Sequence, residues 1–310
     1  MGSSDPVDHP CLSGIRLVLG GNVFGWTIDQ DRSFAVLDAF YEAGGRMIDT
    51  AEGYSAWVPG NKGGESEAII GAWLESRGIR GDMRIGTKTG MGGPPGALQP
   101  DAVASALAGS LERLRTDYVD LYYVHRDDQV TPLDEVVSAF NGPCQSGEIR
   151  ELGVSNYAPD RLAELNGTAQ RMKLRPFTAA QPLYNLVARD AYEGLLQDLC
   201  RRQGIAVMPY YGLAAGFLSG KYGAAKDWEG SPRASSLDDA AADGGWAMLH
   251  RLRDVAGKIG ATPAQVALAW LNAQPGIAAP LASATTIEQI AELAQAATIK
   301  LNAEHLGSLG

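Results

Sequence analysis

Residues 46–54 read Arg46-Met47-Ile48-Asp49-Thr50-Ala51-Glu52-Gly53-Tyr54, a short apolar run closed by an acid and followed by a tight connection that carries a phenol. A carboxylate just past a buried strand is costly on its own and needs a cation, and Lys88 stands just past the next apolar run, at 83–86. That pairing sets an ammonium beside Tyr54. A lysine held close to a phenol favours the phenolate and lowers a pKa that is about 10 when unperturbed, which suits Tyr54 to donate a proton near neutrality. A further apolar run, 119–124, delivers His125. Polar groups at the C-terminal ends of successive strands converge on one face of a parallel α/β barrel.

The same unit of strand, loop and helix repeats on both sides. Residues 15–20 read as the first strand, and the loop behind it, 21–26, sets glycines and Asn22 beside Phe24 and Trp26. Helical spacing over 32–43 ends at Gly44-Gly45. After Tyr54 comes a loop rich in Gly and Pro with Trp57 at its centre, then a helix over 65–77 stopped by Gly78. A helix at 101–115 precedes the strand 119–124, and one at 134–146 contains Asn141-Gly142-Pro143, which predicts a kink or an early end. Strands at 149–154, 178–180 and 205–208 deliver Ser155-Asn156, Gln181 and Pro209-Tyr210-Tyr211, with helices at 160–170 and 190–203 between them. Residues 212–245 are rich in Gly, Ala and Ser without clear period, and loops this long in a compact domain are usually functional or mobile. Helices at 246–258, 262–273 (opened by the cap-like Thr262-Pro263) and 286–297 flank a strand at 276–281. The pattern gives eight strands, hence a single-domain (β/α)8 TIM barrel over 15–310 with residues 1–14 as a flexible N-terminal arm.

Composition narrows the function classes. The 310 residues carry a formal net charge of −10, which argues against nucleic acid or an anionic membrane as the partner and favours a small molecule. No apolar stretch of about 18 residues occurs, and the N-terminus lacks the basic start and apolar centre of an export signal. Three widely spaced cysteines, Cys11, Cys144 and Cys200, fit neither a disulfide framework nor a zinc site, so a reducing cytoplasm is expected. Taken singly, each candidate has a plainer reading: Asp49 as a helix cap, Lys88 as a solvated charge, His125 as a core histidine, Trp26 and Trp57 as packing. Their convergence favours a shared site. Asp127 and Asp128 beside His125 lack a second histidine, so no metal is expected.

Asp49-Thr50-Ala51-Glu52-Gly53-Tyr54, Gly64-Glu65-Ser66-Glu67, Thr87-Lys88, Val119-Asp120-Leu121 leading to His125-Arg126, Gly153-Val154-Ser155-Asn156 and Gly216-Phe217-Leu218-Ser219-Gly220-Lys221-Tyr222 together resemble the aldo-keto reductases over residues 15–300. The resemblance implies a cytoplasmic oxidoreductase that reduces an aldehyde or ketone with a nicotinamide cofactor, NADP(H) preferred and NAD(H) admitted. Tyr54 matches the family's proton donor, Lys88 and Asp49 the pair that tunes it, and His125 the group that hydrogen-bonds the substrate carbonyl. Ser155, Asn156 and Gln181 match the residues that hold the nicotinamide carboxamide, and Tyr210 the ring on which it stacks. Gly21, Asn22 and Asp49, with Tyr211, Leu213, Leu218, Gly220 and Lys221, look like further cofactor contacts, the stretch 213–221 closing over the pyrophosphate. Ser283, Thr285, Gln289 and Glu292 look like the adenosine end. Trp26 and Trp57 are expected to line the substrate pocket beside His125.

The chain departs from the family pattern at three points. Residues 281–292 hold no Arg or Lys to meet a 2'-phosphate, Leu293 stands where an adenine-contacting Asn is common, and Tyr211-Gly212 replaces the usual Ser-Pro. Two other classes of function stay open: a nicotinamide-binding regulatory protein resembling the potassium-channel β subunits, and a barrel enzyme of different chemistry such as an isomerase. Substrate identity and the choice between monomer and homo-oligomer are not fixed by these residues.

Overall fold

Ile48 is paired in register with Leu19 on one side and Ile85 on the other, so Met47–Asp49 is an inner stave of a parallel sheet. The computed structural model describes residues 9–93 and 95–310. Its eight strands are β1 (Val18–Gly20), β2 (Met47–Asp49), β3 (Arg84–Thr89), β4 (Val119–Val124), β5 (Ile149–Ser155), β6 (Ala179–Gln181), β7 (Ala206–Val207) and β8 (Leu281–Ala282). All pair in parallel, in the order β7-β6-β5-β4-β3-β2-β1-β8. A bridge between Val207 and Ile277, with Ala278 N–H donating to Val207 O at 2.8 Å and Leu281 N–H to Pro209 O at 2.9 Å, joins the two ends. The sheet therefore closes as a (β/α)8 barrel and has no free edge to protect.

Outside it lie α1 (Gln30–Glu42), α2 (Glu65–Arg77), α3 (Pro100–Leu114), α4 (Leu133–Ser146), α5 (Pro159–Met172), α6 (Leu195–Gln203), α7 (Ala234–Ala241), α8 (Gly245–Ile259), α9 (Pro263–Asn272), α10 (Ile287–Ala296) and α11 (Ala303–Leu309). The core has two layers. Alternate residues along β4 show why: Leu121 and Tyr123 face into the barrel with Val18, Met47 and Met208, while Tyr122 and Val124 pack outward against the helices with Phe140 and Val136.

Several sequence expectations shift on contact with tertiary structure. Lys88 lies inside β3 rather than beyond it, because β4 supplies partners for Lys88 and Thr89 through Tyr123 and Val124. The unpatterned 212–245 segment is ordered: two 3-10 turns, Ala214–Ser219 and Ala225–Trp228, precede α7. Phe217, Trp228 and Trp246 pack there with ring centroids 5.2 to 6.1 Å apart, an aromatic cluster too irregularly spaced to register as a period. Helix α4 continues through Pro143. Buried Asn141 holds that turn, donating to Val137 O at 3.0 Å and Arg175 O at 3.2 Å and accepting from Arg175 N–H at 2.8 Å. Helix α6 begins at Leu195, five residues later than its apolar spacing implies, behind Gly194 at φ 88°. The capping expectation at Thr262 holds: its hydroxyl accepts from Gln265 N–H, and the Gln265 side chain returns the bond. Of the residues expected as an arm, 1–8 lie outside the described residues. His9, Cys11 and Leu12 are buried at the N-terminal end of the barrel, where Cys11 Sγ–H donates to Asp120 O at 2.9 Å.

Candidate active site

The strand ends place four polar side chains together. Lys88 Nζ, fully buried, donates to Asp49 Oδ2 at 2.5 Å, to Thr50 O at 2.8 Å and to Tyr54 Oη at 3.1 Å, which uses all three of its protons. Below them Tyr123, fully buried, presents its ring 5.6 Å from Nζ. Gly153 makes that floor possible, since a Cβ there would come within 2.6 Å of Tyr123 Cδ1. The Tyr54 and His125 rings stand 6.1 Å apart, nearly edge-on. His125 Nδ1 is buried and has no hydrogen-bond partner among the described residues.

Electrostatics within this group run partly against the sequence expectation. Burial raises the Tyr54 pKa, and Lys88 opposes the rise without cancelling it, so the phenol sits above its ordinary value rather than below. Burial likewise raises the Asp49 carboxyl, opposed by Lys88 and Gln181. For Lys88, burial works against the charged form, but Asp49 and Tyr54 outweigh it and the ammonium is retained. His125 is driven down to about 2 by burial, with Lys88 and Arg126 adding to the effect, so its imidazole is neutral at working pH.

The loop bearing Tyr54 is fixed from both sides. Ser55, at φ 70°, donates from Oγ to Phe24 O at 2.9 Å. Asn61 donates to Gly25 O at 3.0 Å and to Ser55 O at 3.2 Å, tying the loop behind β2 to the loop behind β1. Trp26 and Trp57 meet edge-to-face at 5.4 Å as a result, and Trp57 lies 6.1 Å from Tyr54. Trp57 thus stands beside the phenol, with Trp26 packed on its far side.

A second polar group adjoins the first. Gln181 Nε2–H donates to Asp49 Oδ1 at 2.8 Å, and the Gln181 main-chain carbonyl accepts from Ser155 Oγ–H at 2.8 Å. Asn156, at φ 53°, donates to His125 O at 3.0 Å and accepts from Tyr210 Oη–H at 3.0 Å. Asparagine tolerates that left-handed backbone better than most residues do. These four candidates therefore form one connected patch beside the Lys88 cluster. Farther round the mouth, Ser283 Oγ–H donates to Asn22 Oδ1 at 2.5 Å, and Gly20 allows the approach, because a Cβ there would lie 2.6 Å from Ser283 Oγ. Gln289 Oε1 accepts from Thr285 N–H at 2.7 Å and from Thr285 Oγ1 at 3.2 Å.

The remaining candidates are more dispersed. Tyr211 and Ala215 hold φ angles of 57° and 56°, strained for L residues, on either side of Leu213. Leu218 is buried in the core, Gly220 turns the chain at φ 79°, and Lys221 is exposed with Nζ 4.8 Å from the Tyr222 ring. Gly21 packs against Ser66 and Asp49 O. Glu292 contributes its backbone carbonyl to Gln265 at 3.1 Å, and Leu293 turns into the core. Two features of the mouth escaped sequence reading. Thr50 O, a third acceptor for Lys88, is main chain and carries no residue-type signal; Arg233, over the Trp26 ring at 5.1 Å, sits in the segment without a period. Among the described residues no cluster of His, Cys, Asp and Glu could hold a metal ion, and no helix is long and apolar enough to cross a membrane.

The chain matches the Aldo/keto reductase family over residues 16–309. It is 32% identical to an uncharacterized oxidoreductase, YrpG, of Bacillus subtilis (strain 168), over 95% of this chain and 90% of that protein. It is 31% identical to the aldo-keto reductase str7 of Strobilurus tenacellus, over 96% and 85%. It is also 30% identical to a probable voltage-gated potassium channel subunit beta of Oryza sativa subsp. japonica, over 87% and 83%. With a family match that spans almost the whole barrel, the chain belongs to the aldo/keto reductase family of oxidoreductases.

Proposed function

We propose that this protein reduces an aldehyde or ketone to the alcohol, with NADPH as the preferred cofactor and NADH also accepted. One observation carries the reading: a phenol, Tyr54 Oη, stands 3.1 Å from an ammonium that is itself locked 2.5 Å from a buried carboxylate, with a neutral imidazole alongside.

The donor set fits a nicotinamide. Buried Gln181 and Ser155 and the exposed amide of Asn156 offer donors and acceptors to a carboxamide, and the partly exposed Tyr210 ring offers a stacking face. Asn22, Ser283, Thr285, Gln289 and Glu292, with Gly21 and the strained turn from Tyr211 through Leu213 to Leu218, Gly220 and Lys221, are the candidates for the rest of the cofactor. When bound, the cofactor supplies the hydride that adds to the carbonyl carbon.

The chain's own residues manage the oxygen. As charge develops there, Tyr54 Oη gives up its proton, and Lys88 stabilises the phenolate that remains. Asp49 keeps Lys88 charged and aimed. His125, held neutral by burial, offers an imidazole N–H to the same oxygen without adding a competing charge. Trp26 and Trp57 cover the substrate. The three free thiols, Cys11, Cys144 and Cys200, suit a reducing cytoplasm.

Likeness to a potassium channel subunit beta favours one second reading, a regulator whose bound cofactor signals to a partner. A single experiment separates the two: titrate the protein with NADPH and NADH by tryptophan fluorescence, then follow oxidation of the bound cofactor with a panel of aldehydes and ketones. Binding with turnover is expected. Tight binding without turnover on any carbonyl favours the regulator, and absence of binding overturns both.

A further inference from the structure

We propose, building on the reductase reading, that Glu52 is a positioning residue for the reaction: with Thr89 it clamps the loop that carries Tyr54 to the strand that carries Lys88. Glu52 Oε1 accepts from Thr89 Oγ1–H at 2.5 Å and from Gly90 N–H at 3.0 Å. Both bonds are charge-assisted, the stronger kind, and two donors on one oxygen fix where the chain at 52 can lie. The main chain runs alongside. Thr50 N–H donates to Gly86 O at 2.8 Å and Glu52 N–H to Lys88 O at 3.2 Å, so residues 50–52 extend the pairing of β2 with β3 beyond Asp49. There the pairing stops, and Tyr54 N–H turns back to Ala51 O at 3.1 Å. Glu52 is thus the last anchor to β3 before the phenol.

Thr89 makes the clamp a junction of the whole group. It follows Lys88 in β3, pairs in register with Val124, and accepts His125 N–H on its carbonyl at 2.8 Å. Its buried side chain reaches Glu52, two residues ahead of Tyr54. One pair of side chains therefore ties together the carriers of the phenol, the ammonium and the imidazole. Behind Tyr54, Ser55 and Asn61 hold the loop to the one that follows β1. The two ties together set the 3.1 Å between Lys88 Nζ and Tyr54 Oη. Glu52 acts on that distance by place rather than by charge, since burial, Lys88 and Asp49 govern the Tyr54 pKa.

The test measures steady-state reduction of 4-nitrobenzaldehyde by NADPH in Glu52→Ala, Glu52→Gln, Thr89→Val and the double variant Glu52→Ala with Thr89→Val. In Glu52→Ala, kcat should fall by about tenfold to a hundredfold, the size that a misplacement of about 1 Å carries, while KM and NADPH affinity stay within about twofold. Glu52→Gln keeps an acceptor oxygen for both donors and should recover most of the loss. The double variant should be no slower than Glu52→Ala, because Thr89 acts through Glu52. Wild-type kcat in Glu52→Ala overturns the proposal, and so does Glu52→Gln as slow as Glu52→Ala, which would make the charge the active feature. A readout independent of turnover is the NMR signal of Tyr54 Cζ in protein isotope-labelled at that tyrosine carbon, identified by its loss in Tyr54→Phe. It should move at neutral pH in Glu52→Ala and in Thr89→Val, and return in Glu52→Gln. Thr89→Val, which deletes one hydroxyl at constant shape, gives this answer even where Glu52→Ala fails to fold. If the aldehyde is not reduced, the reductase reading loses support while the clamp is still decided: a signal that moves as described upholds it, and one that stays put in Thr89→Val sinks it.

Discussion

Gln181 donates from Nε2 to Asp49 Oδ1 at 2.8 Å, across the barrel from β6 to β2, while the other oxygen of the same carboxylate takes Lys88 at 2.5 Å. Asp49 therefore joins the candidate carboxamide seat to the candidate proton donor. Both of its oxygens are engaged in a region without solvent, where an unsatisfied partner is expensive.

Lys88→Met strips the cation from a fully buried carboxylate. Loss of one partner of a buried pair costs about 3–5 kcal/mol, so the urea midpoint should drop by a corresponding margin. Lys88→Met combined with Asp49→Leu should recover part of the loss, since an apolar pair of similar volume removes the uncompensated charge. A double variant no more stable than the single one would show that Asp49 is not the group left stranded.

Tyr54→Phe keeps the ring and removes the transferable proton. Carbonyl reduction should fall by at least about a hundredfold, the usual worth of a positioned general acid, with NADPH binding retained. In the wild type, burial holds the Tyr54 phenol above its ordinary pKa of 10.0, so the acid stays protonated through neutrality. The rate of reduction should then be flat across neutral pH and decline only on the alkaline side. A decline centred near neutrality would instead restore the lowered pKa that sequence reasoning anticipated.

Gly153→Ala is a test of the floor. The added Cβ would come within 2.6 Å of Tyr123 Cδ1, in a ring that is fully buried beneath Lys88. Overpacking of this kind costs about 1–3 kcal/mol, and the displaced ring should also disturb Lys88, so stability and turnover should fall together. Wild-type values for both would mean that Tyr123 can move without reaching the site.

Legibility in the sequence tracked the kind of force at work. Strands β2 and β4 and helix α2 were readable because burial on a fixed period writes itself into residue order: 65–77 and 119–124 appear at the expected bounds. The Asp49, Tyr54, Lys88 and His125 grouping was readable because each sits at or just behind the end of an apolar run. What escaped was set by partners distant in sequence. The aromatic cluster of Phe217, Trp228 and Trp246 orders a segment with no period of its own, and Asn141 carries α4 through a proline by bonding Arg175. The sign of the Tyr54 shift escaped for a related reason: a neighbouring charge can be guessed from spacing, whereas the depth of burial that outweighs it cannot.

His125 yields the last prediction, on stability against pH. In the folded protein burial holds its pKa near about 2, against 6.5 for the free side chain. Between those values the unfolded chain binds a proton that the native state refuses, so ν in the unfolded state exceeds ν in the native state and stability falls as pH falls. The loss begins below the unfolded value and grows by about 1.4 kcal/mol per pH unit. His125→Gln, neutral at every pH, should remove that slope. Urea unfolding at about pH 7.5 and about pH 5.5 should therefore show a wild-type loss roughly 1.4 kcal/mol larger than that of the variant, other groups being common to both. Equal losses would mean that His125 takes up its proton in the folded state, and that the neutral imidazole assigned to the carbonyl oxygen is the wrong species.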